Sequence, residues 1–227
     1  MFISKENVEK SNNAKMVELL RRIKPEMHGA VVEEMARRGV RYGLSYGVAI
    51  PVIRQAAREY APDHALAEYL FRQDVRELKL AAVYVDDPAL VAREQIERWT
   101  SAMPPAEVME HAAMNLFYAS PDAPAVIGEW LAADDPLRLK GALYMAGRRT
   151  LAGLADAEES ARHLNLAVKS LPSQTDIPEQ AAVYFFTKTA VVSADLSDSV
   201  RRVLKTWQTH ENPAIRELAS EVAAFLE

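Results

Sequence analysis

Along this chain the apolar residues return every three or four positions, and the pattern holds from Met16 through Phe225. That period marks helices burying one face. Only eight glycines occur, and no sustained apolar/polar alternation leaves room for a sheet, so the chain is expected to be all-α. Residues 4–23 read as one helix, or two joined at Ser11-Asn12-Asn13, with Met16, Val17, Leu20 and Ile23 on the apolar face. Pro25 ends it. A second helix is expected from about Glu26 to Arg38, closed by Gly39 in the position of a C-terminal glycine cap.

From Gly39 to Ile50 there is no helical period, and three glycines and two tyrosines mark a loop. Pro51 suits the first turn of the next helix, which carries Val52, Ile53, Ala56, Ala57 and Tyr60 on its stripe and stops before Pro62. Asp63 is placed to cap its successor, a simpler role for this segment than catalysis by His64.

Beyond Asp63 the helices become short and evenly spaced. Asp74, Pro105, Pro136, Pro178 and Pro213 each open one, at steps of 31, 31, 42 and 35 residues, which is a degenerate internal repeat. Companion helices are expected at roughly 87–99, 121–133, 155–171 and 196–209. A helix pair with one apolar stripe per helix cannot bury both alone, whereas stacked pairs can. The expected architecture is a single domain over residues 1–227, a curved α-solenoid of HEAT-like or ARM-type helical repeats. Asn212 to Phe225 fits the HEAT pattern best, with Ile215, Leu218, Ala219, Val222 and Phe225 as its stripe and Glu227 ending the closing helix. Trp99, Trp130 and Trp207, at the ends of companion helices, read as packing residues.

Composition adds exclusions. An apolar content of 49% is ample for a continuous core, and with no cysteine the chain has neither disulfides nor sulfur-ligated metal. No signal peptide and no run of about 18 apolar residues is present, so a cytoplasmic protein that neither enters nor crosses a membrane is expected. The net charge of −5 argues against indiscriminate coating of nucleic acid but leaves room for local basic faces. Such clusters occur at Arg37/Arg38/Arg41, Arg54/Arg58, Arg138/Lys140/Arg148/Arg149 and Arg201/Arg202/Lys205. Arg148 and Arg149 would equally suit the C-terminal end of a helix dipole. Gly141, inside the same helix, is either slack or a point of close approach.

The one carboxylate constellation that reads as a site lies in the helix from Pro105 to Phe117. Val108, Ala112 and Leu116 form its buried stripe with Met109 and Ala113 beside it, leaving Glu107, Glu110 and Met114 on another face. Glu110 is there either a solvated surface group or a groove-facing one. It cannot share an ion with His111, because helix neighbours point about 100° apart. With no His-x3-His pair in the chain, neither metal nor other cofactor is expected.

Three segments resemble the AlkD-type DNA alkylation repair proteins, which are HEAT-like-repeat DNA glycosylases. They are Tyr46-Gly-Val-Ala-Ile-Pro51 with the Val-Ile-Arg that follows; Asp63 to Phe71 with Val75-Arg-Glu-Leu-Lys-Leu and Asp86-Asp-Pro88; and Met114-Asn-Leu-Phe117 with the helix through Gly141 to Ala146. The likeness spans roughly residues 40–150. It implies a concave basic groove for double-stranded DNA and hydrolytic excision of purines alkylated at N3 or N7, a carboxylate stabilising the developing oxocarbenium ion. Aligned on Met114-Asn-Leu-Phe117, Glu110 takes the place of the family's catalytic Asp and Ala106 that of a Trp. The basic partner falls at Arg138 to Lys140, with Leu139 a candidate for the position itself, and Tyr184 aligns with a further Trp. The resemblance thus implies Glu110 as catalyst and Arg138, Lys140, Arg148, Arg149 and Tyr184 as DNA contacts. The alternative is a noncatalytic scaffold of the same fold that binds a protein or a nucleic acid structure.

Overall fold

The structure, a computed structural model, describes residues 5–103 and 106–226; the expected helix start at Pro105 and the final Glu227 lie outside the described residues. The α-helices are α1 (Lys5–Ile23), α2 (Gly29–Arg37), α3 (Ile50–Arg58), α4 (His64–Phe71), α5 (Arg76–Val85), α6 (Arg93–Ser101), α7 (Ala106–Asn115), α8 (Ala123–Leu131), α9 (Pro136–Leu151), α10 (Ala157–Ser170), α11 (Glu179–Ala190), α12 (Ala194–Trp207) and α13 (Pro213–Phe225). Leu44 and Val75 form one isolated parallel bridge, and no strand occurs among the described residues. The fold is an all-α solenoid of HEAT-like helical repeats. Two compact units divide it, residues 1–116 and 117–227.

In the first unit α3, α5 and α7 pack side by side as one row, with α1 and α4 behind them. α6 joins this second row through Trp99, whose ring stacks on Phe71 at 3.9 Å and whose indole N–H donates to Glu68. Ile53, Leu66, Leu70, Leu78, Ile96 and Val108 are fully buried between the rows, each worth about 1.5–3 kcal/mol relative to exposure. In the second unit α9, α11 and α13 form the corresponding row, backed by α8, α10 and α12. There the Phe186 ring meets Phe185 and Trp207 edge-on, and Trp130 closes the far side of the core.

The sequence repeat reappears as bonding. Gly43 and Asp74, Tyr46 and Glu77, Glu68 and Trp99, Arg76 and Glu107, and Tyr118 and Arg149 are all hydrogen-bonded pairs, and every pair is 31 residues apart. Equivalent positions of successive helix pairs therefore touch each other. The strongest set ties the loop at 39–49 to the first row. Glu77, with no exposed surface, accepts from the backbone N–H groups of Tyr46 and Val48 and from Arg76. Arg76 grips Glu107 with Nε at 2.9 Å and Nη2 at 2.6 Å and gives Nη1 to the Val48 carbonyl, while the Tyr42 hydroxyl donates to Glu107 at 2.6 Å. Burial alone would raise the Glu107 carboxyl, but the hydrogen bonds from Arg76 and Tyr42 outweigh it and hold it below its ordinary range.

Helix signals held where side-chain chemistry enforces them. Asp63, Asp135 and Asn212 cap their helices through backbone N–H groups, and Gly39 follows α2 at φ +78° with its N–H on the Ala36 carbonyl. Several boundaries differ. α1 is one continuous helix, and its buried stripe is Asn12, Leu19 and Ile23, with Val17 facing solvent, because the Asn12 amide reaches the Ala65 carbonyl and sets the rotation. α2 begins only at Gly29, since Pro25 sits in a 3-10 turn at Lys24–Glu26. Asp74 does not cap α5: its carboxylate turns to the Gly43 N–H, and Val75 stands at the cap. α6 starts at Arg93 because Asp87 caps a separate turn at Pro88–Leu90. Phe225 leaves the stripe of α13 and is 68% exposed.

Removing Arg76 would leave Glu77 and Glu107 buried without their counter-charge. Arg76→Ala should cost about 3–5 kcal/mol in chemical denaturation. Acid should act at a second place. His163, 1% exposed, is pushed down by burial to about 4, so the unfolded chain binds its proton first as pH falls. Stability should decline between about pH 6.5 and 4 by up to about 3 kcal/mol, and His163→Gln should flatten that stretch of the denaturation-versus-pH curve.

Candidate nucleic-acid interface

On α9, Lys140, Tyr144 and Arg148 recur at four-residue spacing and share a face. On neighbouring α11, Tyr184 and Lys188 do the same. The rings of Tyr144 and Tyr184 meet at 5.7 Å, tilted by 54°. Cations lie over them: Lys140 Nζ at 5.8 Å from the Tyr144 centroid, Lys188 Nζ at 5.7 Å from Tyr184, and the Arg148 guanidinium at 4.9 Å from Tyr118. Each such contact is worth about 0.5–1 kcal/mol at a solvent-facing site and holds a flexible cation in place. Tyr144 is only 5% exposed, so the rings form a floor and the cations form the surface above it. Such a surface suits phosphate groups; a tyrosine buried that deeply cannot stack on a base.

The floor depends on Gly147. A Cβ there would stand 2.9 Å from two ring carbons of Tyr184 and 3.2 Å from the Phe185 Cα, so the bare backbone of α9 lets the ring lie against it. The buried Tyr184 hydroxyl has no hydrogen-bond partner among the described residues, and burial raises its pKa above the ordinary phenol range.

The sequence-derived contacts separate. Lys140, Arg148 and Tyr184 converge here. Arg138, two residues before Lys140, points about 200° away around α9, with Nε 3.6 Å from Asp135 and its guanidinium 6.0 Å from the Trp130 centroid. Arg149 is turned inward and is corrected as a DNA contact: it bonds Glu159 at 2.7 Å and donates to the carbonyls of Tyr118 and Leu154, so its N–H groups are committed to the core. Leu139 is fully buried and offers nothing to a ligand. Tyr118, Tyr144 and Lys188 were missed, although the spacing of Tyr144 and Lys188 at four residues from named members was readable.

Glu110 belongs to the first unit. It is half-buried on α7, while its neighbour Glu107 is locked into the Arg76 cluster. His111 beside it pairs its Nδ1 with the Tyr84 hydroxyl at 2.8 Å, and burial lowers the imidazole pKa, favouring the neutral ring at pH 7. His64 bonds the buried Asp86 at 2.7 Å, and Asp86 is held in turn by Gln95. Among the described residues no three His, Asp or Glu side chains are grouped as metal ligands, and no helix is long and apolar enough to cross a membrane.

Glycine to alanine inside a helix normally stabilises by about 1 kcal/mol. Gly147→Ala should do the reverse, because the methyl meets the Tyr184 ring and backbone; a loss of about 1–3 kcal/mol in denaturant unfolding, with altered tyrosine fluorescence, is expected.

No family model matches the chain, and no curated protein matches it in sequence. Its fold is similar to a solved structure from "a new family of proteins related to the HEAT-like repeat DNA glycosylases with affinity for branched DNA structures", with TM-score 0.72 and 14% identity over 91% of this chain and 93% of that one. A designed armadillo repeat protein, also 14% identical, covers 78% of this chain at TM-score 0.34. The first of these likenesses places the chain in the HEAT-like-repeat fold.

Proposed function

We propose that the protein binds DNA, with Lys140, Arg148 and Lys188 of the second unit on backbone phosphates. One observation carries this reading: three cations of α9 and α11 are held over the rings of Tyr144, Tyr184 and Tyr118. Tyr184 supports Lys188 from below.

The catalytic form of the reading assigns Glu110 to excision of N3- or N7-alkylated purines from double-stranded DNA. Such a base carries positive charge and departs as a neutral molecule. The positive charge then passes to the sugar, water adds at the anomeric carbon, and a proton is released to solvent. A half-buried carboxylate at the sugar would stabilise that charge without supplying a nucleophile. A second reading, noncatalytic recognition of a nucleic acid structure, is favoured by Ala106 at the position where the resembled glycosylases carry a Trp. The affinity for branched DNA of the family with the similar fold supports it as well.

Base release from duplex DNA containing 7-methylguanine distinguishes the two. Catalysis requires release by the wild type and a fall of about 10²–10³ in Glu110→Gln. Undiminished release in that variant would remove Glu110 from the chemistry, and binding without release would leave the noncatalytic reading. In either case Lys140→Ala/Arg148→Ala should weaken DNA binding and lower the slope of log affinity against log salt by about two.

A further inference from the structure

We propose that the first unit carries its own phosphodiester-binding subsite, formed by Arg54 and Arg58 of α3 beside the Tyr84–His111 pair of α5 and α7. This inference rests on the DNA-binding reading above and extends it to the first unit, where only Glu110 has been given a role. Arg54 and Arg58 stand four residues apart, so both project from the same side of α3, and α3 packs on α5 as α5 packs on α7. Neither guanidinium forms an ion pair or a hydrogen bond among the described residues, whereas Arg22, Arg76 and Arg98 of the same unit each hold a carboxylate. Their charges reach the polar pair next door. Burial raises the Tyr84 hydroxyl pKa and Arg54 and Arg58 oppose the rise; Arg54 also acts on His111.

The neighbouring carboxylates do not cancel this charge. Glu107 is held by Arg76 and Tyr42, and Glu110, the other acidic group acting on His111, lies one residue before it and so points about 100° away around α7. Tyr84 and His111 hold each other by a 2.8 Å hydrogen bond, their rings meeting edge-on, so one fixed polar pair stands beside two uncommitted guanidinium forks. A guanidinium fork fits the oxygens of a phosphate bidentately, and two of them one helical turn apart suit a phosphodiester backbone better than a single small anion.

The test uses the full chain with Arg54→Ala/Arg58→Ala and, as the conservative control, Arg54→Lys/Arg58→Lys. Binding to a duplex and to a four-way junction is followed by fluorescence anisotropy from about 50 to 200 mM salt. The alanine pair should weaken binding at least about tenfold and reduce the salt slope by about two, while the lysine pair keeps the slope. Neither arginine has an internal partner to lose, so unfolding at the wild-type denaturant midpoint is expected in both. An unchanged slope in the alanine pair, alongside weakened binding in Lys140→Ala/Arg148→Ala, overturns the subsite and leaves the DNA-binding reading standing. A wild type that binds neither DNA overturns both. His111 ring resonances that move with inorganic phosphate but not with DNA would assign the pocket to a free anion and overturn the backbone contact.

Discussion

A hydrogen bond between a residue and the one 31 positions further along is the tie on which the first unit is built, and the Arg149–Tyr118 bond repeats it once in the second. A helix pair cannot bury its second apolar face alone, and burial by itself does not fix how far one pair slides along the next. Polar groups do, because a buried carboxylate or guanidinium left short of a partner costs far more than a shifted leucine. Arg76 shows the arrangement at full strength. It stands at the start of α5, takes its carboxylate from the next helix of the row and a carbonyl from the loop before, and so sets three segments in one register.

Much of this could be read from the sequence, and the failures have a common cause. The 31-residue step was visible in Asp74, Pro105 and Pro136, and caps and proline positions announced most helices because they act locally. The stripe of α1 was misread because the residue that orients it is a polar Asn12, whose partner is the distant carbonyl of Ala65. Asp74, where a helix was expected to open, is a lateral tie to Gly43. A periodicity argument sees which residues are apolar; it cannot see a polar residue whose partner lies a whole repeat away.

The site divides in the same manner. Lys140, Arg148 and Tyr184 were found through resemblance and lie together. Arg149, next to Arg148 in the chain, points about 100° away around the helix and serves the interior instead. The two arginines share one chemistry and have different surroundings: Arg148 lies over the Tyr118 ring, and Arg149 reaches Glu159. Tyr144 went unnoticed since a buried aromatic resembles core in any sequence; its role comes from the lysine lying over it. Net charge misleads for a related reason: an arginine that carries its own carboxylate into the core, as Arg149 does with Glu159, counts in the total without adding to any face.

Gly147 bears on more than the fit of one ring. The distance between α9 and α11 determines how far apart Lys140 and Arg148 stand from Lys188, and that distance is held by the absence of a single side chain. A missing methyl therefore acts as a ruler for the charges above it. Any drift at this position would change the lattice of positive groups without touching one of them, so the spacing of these charges is inherited through the core and not through the residues that carry them.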